Sequence, residues 1–215
     1  MDHIVWDWNG TLFDDVQLCF DCINRLLRRH GLNPIETLEQ YRAVFGFPVS
    51  EYYQRVGFDF DRVPFEVLAE EYMADYQEKS ADCALYPDAL QTIRRGRELG
   101  LGQIVLSASR KDYLLDQLSN CGLGAAFDSV WGIEDFYAAS KEALARRLRD
   151  SLPPEDRLCF VGDTLHDAQV ARAVGAECVL LTAGHQSRER LSEFGFPVAG
   201  SLWECLAVIQ KFVES

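Results

Sequence analysis

Lysine is scarce in this chain of 215 residues: only four are present, at positions 79, 111, 141 and 211. Lysine and arginine together number 21 against 34 aspartates and glutamates, for a formal net charge of −13. Such a surface repels nucleic acid and anionic membranes, which excludes both as the main partner. An anionic ligand would have to find its positive counterpart in a few local residues or in a metal ion. The chain also lacks any apolar run near the ~20 residues that a bilayer crossing needs. Nothing in it resembles a basic segment followed by the apolar core of a signal peptide, so a cytoplasmic protein is expected. Seven cysteines are present (Cys19, Cys22, Cys83, Cys121, Cys159, Cys178 and Cys205), but the number is odd and they fall in apolar segments. Cys19 and Cys22 form a lone C-x-x-C within a helical pattern, without a second pair or a flanking histidine. The cysteines therefore read as small buried hydrophobes rather than a disulfide framework or a metal site. What is abundant is apolar sequence, 48% of residues. That is ample for one large domain, or for a core with a modest inserted domain.

The chain is organised around its first dozen residues. A short apolar run, His3-Ile4-Val5-Trp6, ends on Asp7, and the turn Asn9-Gly10-Thr11 follows. The run reads as a buried strand, and its carboxyl end as the edge of a crevice, where open parallel sheets bind ligands. Residues 14–30 carry Val16, Cys19, Phe20, Ile23, Leu26 and Leu27 at helical spacing, with acids first and Arg28-Arg29-His30-Gly31 last, as a helix dipole and a glycine stop favour. Shorter helical patterns occupy residues 37–45, 49–56 and 64–79, and no strand pattern interrupts 14–83. From Tyr86-Pro87 onward strands and helices alternate. Strands are expected at 103–106, 129–131, 157–161 and 177–181, and helices at 87–99, 111–120, 140–150, 164–174 and 202–213. The expected fold is therefore α/β: a Rossmann-like parallel sheet with helices on both faces, formed by residues 1–13 and 86–215, with an all-helical cap inserted at 14–85.

Three of the apolar strands end in polar groups: Asp7, Ser107 and Asp163. Singly, each is the kind of residue that caps a following helix. Asp163, however, has a second carboxylate, Asp167, one turn on. Asp7, Asp163 and Asp167 would thus gather at one sheet edge, where their repulsion calls for a cation, and hard oxygen ligands suit Mg²⁺.

Asp7-Trp-Asn-Gly-Thr11, Ser107, Lys141 before a helix, and Gly162-Asp-Thr-Leu-His-Asp167 resemble, in order and spacing, the four motifs of the haloacid dehalogenase superfamily. The helical insertion and Tyr86-Pro87-Asp88 are similar to its phosphoglycolate-phosphatase-like branch. The resemblance covers essentially the whole chain. It implies that Asp7 attacks the phosphorus of a small phosphorylated metabolite to give an aspartyl-phosphate that water hydrolyses. It also implies a Mg²⁺ held by Asp7, the backbone carbonyl of Asn9, Asp163 and Asp167. Gly10, Thr11, Ser107 and Ala108 would contact phosphoryl oxygens, and Lys141 would supply fixed positive charge.

Asn9 departs from the pattern. Phosphatases of the superfamily usually place there a second aspartate, which protonates the leaving oxygen and then activates water. An amide cannot shuttle a proton, and such help is typically worth 10² to 10⁴ in rate. His166 and His185 are conceivable substitutes, and an acyl or aryl phosphate would need the help less. The alternative from another class is a catalytically weak phosphate-binding or regulatory protein. A carbon–halogen hydrolase would not need the retained Asp163 and Asp167, and a phosphonate hydrolase would need a cap lysine, for which only Lys79 is available. Residues 45–48 with Arg42 and Arg55 are the candidate substrate-contacting surface of the cap, and residues 182–187 could also line the crevice.

Overall fold

The computed structural model describes residues 2–134 and 140–214. Its elements in chain order are β1 (Asp2–Trp6), β2 (Phe13–Asp14), α1 (Val16–Arg29), α2 (Leu38–Val44), α3 (Val49–Arg55), α4 (Phe65–Ser80) and β3 (Ala84–Leu85), followed by α5 (Ala89–Glu98), β4 (Gly102–Arg110), α6 (Lys111–Asn120), β5 (Ser129–Ile133) and α7 (Lys141–Ser151), and finally β6 (Arg157–Gly162), α8 (Leu165–Ala173), β7 (Glu177–Leu181), α9 (Arg188–Ser192), β8 (Val198–Ala199) and α10 (Leu202–Val213). Six of the strands form one parallel sheet in the order β5-β4-β1-β6-β7-β8.

β1 lies inside the sheet because its side chains are apolar on both faces: Ile4, Val5 and Trp6 are all fully buried. The two-residue alternation of a strand sends Ile4 and Trp6 one way, with Val105, Val161 and Val179, under α5, α6 and α10. Val5 points the other way, with Ile104, Phe160 and Leu180, under α7, α8 and α9. Burying each large apolar side chain is worth roughly 1.5–3 kcal/mol, so a single-residue slip of β1 would forfeit several such terms and exchange the faces. The chain runs from β1 outward to β4 and β5, then returns to β6 on the other side. This reversal puts a crevice beyond the carboxyl ends of β1 and β6.

Between β1 and β3, helices α1 to α4 bury a third apolar cluster of their own, in which Ile23, Leu26 and Leu27 of α1 meet Tyr41, Tyr52, Tyr53, Leu68 and Tyr76. The chain leaves the sheet for these helices and returns through a two-residue antiparallel ribbon, Phe13 opposite Leu85 and Asp14 opposite Ala84. That ribbon was not expected from sequence, and it moves the start of α1 from residue 14 to Val16. Two other features differ from expectation. β4 continues through Ser107 to Arg110, with a register shift against β5 after Leu106, and a short helix and strand, α9 and β8, lie between residues 187 and 200.

Candidate active site

The acidic group forms where the strands end. The Asp7 N–H donates to the Val161 carbonyl at 2.8 Å, continuing the β1–β6 ladder by one bond and fixing where the Asp7 side chain leaves the sheet. Asp163 follows β6, and Asp167 lies in the first turn of α8, where its Oδ2 accepts from the Thr164 N–H (3.0 Å) and hydroxyl (2.7 Å). Carboxylate oxygens of Asp7, Asp163 and Asp167 all lie within 4.8 Å of one another. Lys141, the first residue of α7, sits between two of them, with Nζ 2.6 Å from Asp7 Oδ1 and 2.5 Å from Asp167 Oδ1. The four residues therefore meet at one edge of the sheet.

The electrostatics follow from three closely packed carboxylates, two of which are paired with one ammonium. Burial raises the Asp7 carboxyl to about 7 against the pull of Lys141, and the neighbouring Asp167 and Asp163 add to the rise. Burial likewise raises Asp163 to about 6, opposed by His185. Asp167 is buried too, but the Lys141 contact keeps its carboxyl below the ordinary value. Lys141 itself is raised, because its two carboxylate partners outweigh its burial. Positive charge is thus in deficit. A divalent cation would supply it, and an all-oxygen carboxylate set fits Mg²⁺, which takes one or two carboxylates and completes its shell with water or phosphate oxygens.

Gly10 and Gly184 make room for Asp163. A Cβ on Gly10 would lie 2.4 Å from Asp163 Oδ2, and Gly10 also has φ +68°, a backbone region that favours glycine. A Cβ on Gly184 would lie 2.2 Å from the same oxygen. The Thr11 hydroxyl donates to Asp163 Oδ1 at 3.1 Å, so it serves the acidic group directly. The backbone N–H groups of Gly10 and Thr11 are already partnered within the loop, by Phe13 O and Asp15 Oδ1 and by Trp8 O respectively. Ser107 is buried two residues beyond Val105, the β4 partner of Trp6, with Ala108 next to it. The Ser107 hydroxyl accepts from the Ser109 N–H at 3.1 Å.

Asn9 is held from three directions. Its Nδ2 donates to Asp15 Oδ2 (2.7 Å) and to the Tyr76 hydroxyl (2.8 Å), and its Oδ1 accepts from the Ser109 hydroxyl (2.7 Å). Asp15, Tyr76 and Ser109 were not singled out from sequence. They come from the start of α1, from α4 and from β4, and no local spacing joins them. His185, one of the two histidines considered there, is buried; its Nδ1 lies 2.9 Å from the Tyr41 hydroxyl and its Nε2 3.5 Å from Asp15 Oδ1. Asp15, Cys19 and His185 also bring ligand atoms within 4.8 Å. Here the carboxylate already accepts from protein donors, and burial keeps the Cys19 thiol protonated as one of them, so this cluster is a hydrogen-bond node and not a metal site.

The helical block rests on this edge of the sheet. Gln186 Nε2 and the Arg190 guanidinium donate to the Phe45 carbonyl, and Arg42 donates to the carbonyls of Gly184 (2.8 Å) and Ala183 (2.7 Å). The Phe45 ring lies 4.8 Å from the His185 ring, and Phe47 stacks on His166 at 4.8 Å. Arg42 is therefore tied to the sheet, and Arg55 to the Val44 carbonyl. A cavity of about 650 Å³ opens at the other end of the strands, where Arg149, Asp150, Glu155 and Glu177 line it away from the acidic group. Among the described residues no helix is long and apolar enough to cross a membrane.

This fold and this arrangement of carboxylates and lysine define a class. The chain belongs to the family described as haloacid dehalogenase-like hydrolases, which it matches over residues 4–181. A phosphoglycolate phosphatase of Pseudomonas syringae pv. syringae is 26% identical over 199 residues, which cover 88% of this chain and 72% of that protein. A haloacid dehalogenase-like hydrolase from Streptococcus pneumoniae superposes with a TM-score of 0.81 at 19% identity, covering 96% of this chain and 97% of that one. A chain described as a predicted phosphatase from Clostridium acetobutylicum gives 0.81 at 19% identity, with 98% of each chain covered. Membership of that family makes the chain an enzyme, a hydrolase.

Proposed function

We propose that the chain is a Mg²⁺-dependent phosphatase that hydrolyses a small phosphomonoester of the phosphoglycolate type through an aspartyl-phosphate on Asp7. The observation that carries this reading is the meeting of Asp7, Asp163 and Asp167 at the ends of β1 and β6, with the Lys141 ammonium between Asp7 and Asp167. Asp7, the Asn9 carbonyl, Asp163 and Asp167 would hold Mg²⁺, which when bound neutralises the nucleophile and the phosphoryl oxygens. Lys141 pulls the Asp7 carboxyl toward its ionised form, against its burial, and fixes one of its oxygens in direction. Asp7 attacks phosphorus as the ester P–O bond breaks; water then attacks the aspartyl-phosphate, releasing inorganic phosphate and the free carboxylate. Ser107 and Ala108 lie at the same edge to contact the phosphoryl group. Residues 14–85 act as a cap: the contacts of Phe45, Phe47 and Arg42 close it over the crevice and exclude water.

Phosphate release from p-nitrophenyl phosphate and acetyl phosphate, measured with and without Mg²⁺, tests the reading. Release should require Mg²⁺ and vanish in Asp7→Asn; activity surviving in that variant would refute the assignment. A second reading, a weak phosphate-binding or regulatory protein, is favoured by Asn9, whose amide cannot move a proton. Mg²⁺ binding without turnover of either ester would select it.

A further inference from the structure

Asp15 occupies the N-cap of α1, where a carboxylate ordinarily accepts from the first N–H groups of its own helix, yet its side chain makes no capping bond. It turns back to the loop after β1. Its Oδ2 accepts from Asn9 Nδ2 and from the Tyr76 hydroxyl at 2.8 Å, and its Oδ1 from the Gly10 N–H at 2.9 Å, with His185 Nε2 3.5 Å away. Asp15 is 1% exposed, so these bonds have replaced its water.

The polarity of this network is one-way. Both Asp15 oxygens accept from N–H and O–H groups, so the side chain facing them at position 9 must donate. An amide does so and still has an oxygen left for the Ser109 hydroxyl. A carboxylate at position 9 would instead put two acceptors 2.7 Å apart in a buried place, one of which would have to take up a proton. We propose that Asp15 is a positioning residue of the nucleophile loop that dictates the amide at position 9, so that Asn9 and Asp15 form one unit in which acid and amide are exchangeable only together. Through Asn9 and the Gly10 N–H, Asp15 fixes the turn that carries the Asn9 carbonyl and lets Gly10 lie against Asp163. An acid introduced at position 9 alone then fails to act as a proton shuttle, because it faces Asp15. The inference rests on the phosphatase reading for its catalytic part only.

A cycle of four proteins tests it: the natural chain, Asn9→Asp, Asp15→Asn and the double variant. Unfolding midpoints are measured for each, together with kcat and KM on p-nitrophenyl phosphate in saturating Mg²⁺. Each single variant should melt about 5 °C or more below the natural protein, the scale of losing one buried polar pairing in a chain of this size. Each should also lose about tenfold or more in kcat with KM little changed, as expected when a reacting loop is misplaced. The double variant should recover most of both, since the donor and acceptor have traded places. Tyr76→Phe, which removes one donor without changing charge, should fold normally and lower kcat severalfold. Additive losses in the double variant would overturn the inference, as would an Asn9→Asp protein as stable as the natural one, or a Tyr76→Phe protein with natural kcat. If the natural protein releases no phosphate, the phosphatase reading fails while the cycle of melting midpoints still decides the pairing.

Discussion

Lys141 is 4% exposed and touches two carboxylates that have no other lysine or arginine ion pair among the described residues. Breaking a buried ion pair from one side costs about 3–5 kcal/mol, because the remaining charge stays buried without its partner. Lys141→Met should therefore abolish phosphate release and lower the unfolding free energy by about that amount in metal-free buffer. Mg²⁺ should return part of the stability but none of the activity, which denaturant titrations with and without the ion would show. The same charge deficit has a pH signature. The Asp7 carboxyl, ordinarily at 3.8, is raised to about 7 in the folded protein, and Asp163 is raised to about 6. Between those limits the folded state binds more protons than the unfolded chain, so the stability of metal-free protein falls as pH rises through this window. Mg²⁺ needs the ionised carboxylates and should displace those protons. Calorimetry of Mg²⁺ binding at pH 6.5, in buffers of different ionisation enthalpy, should show proton release that disappears near pH 8.5; binding without proton release at pH 6.5 would contradict the assigned electrostatics.

At the scale of elements, the connection between α2 and α3 latches the helical block to the sheet. Its Phe45 carbonyl is gripped by Gln186 and Arg190, while Arg42 of α2 reaches the Ala183 and Gly184 carbonyls. Arg42→Ala removes two charge-assisted bonds, each worth about 1.5–3 kcal/mol at most. It should populate an open state, raising KM about tenfold for a small ester with a lesser effect on kcat, and hastening protease cleavage within 45–48. Unchanged KM and unchanged cleavage would remove the latch. How legible these elements were depended on their length. Helices α6 and α10 and strand β7 have the bounds expected of them, because ten-residue helices and five-residue apolar strands carry full periods. The β2–β3 ribbon, α9 and β8 have two to five residues each and carry none. Asp7 and Asp163 were legible because each follows an apolar strand, Asp167 because it lies one helical turn beyond Asp163, and Lys141 through its resemblance to a family motif. Asp15 was hidden by its ordinary appearance at a helix start, and its partners Tyr76 and Ser109 come from separate elements, so only the tertiary fold brings that half of the site together.

Taken as a whole, the molecule is an anion of formal charge −13, and the proposed reaction brings a second anion to a site already holding three carboxylates. The single ammonium, between Asp7 and Asp167, acts only at contact range, while the surface charge acts at long range, and the two have opposite consequences for an approaching phosphate ester. At about 0.01 M ionic strength the screening length is about 30 Å, comparable to the protein itself, and the whole negative surface opposes the encounter; at 0.15 M it is about 8 Å and only local groups count. Association should thus be the salt-sensitive step, and the chemistry in the closed, buried site should not be. With Mg²⁺ saturating throughout, raising KCl across that range should increase kcat/KM for a dianionic ester a few-fold, on the order expected for screening of like charges, while leaving kcat unchanged. A fall in kcat/KM over the same range would mean that attraction at the crevice mouth outweighs the net charge. Basic groups such as Arg110 at the end of β4 and Lys111 at the start of α6 would then have to be guiding substrate in, despite their ion pairs with Asp112 and Glu134.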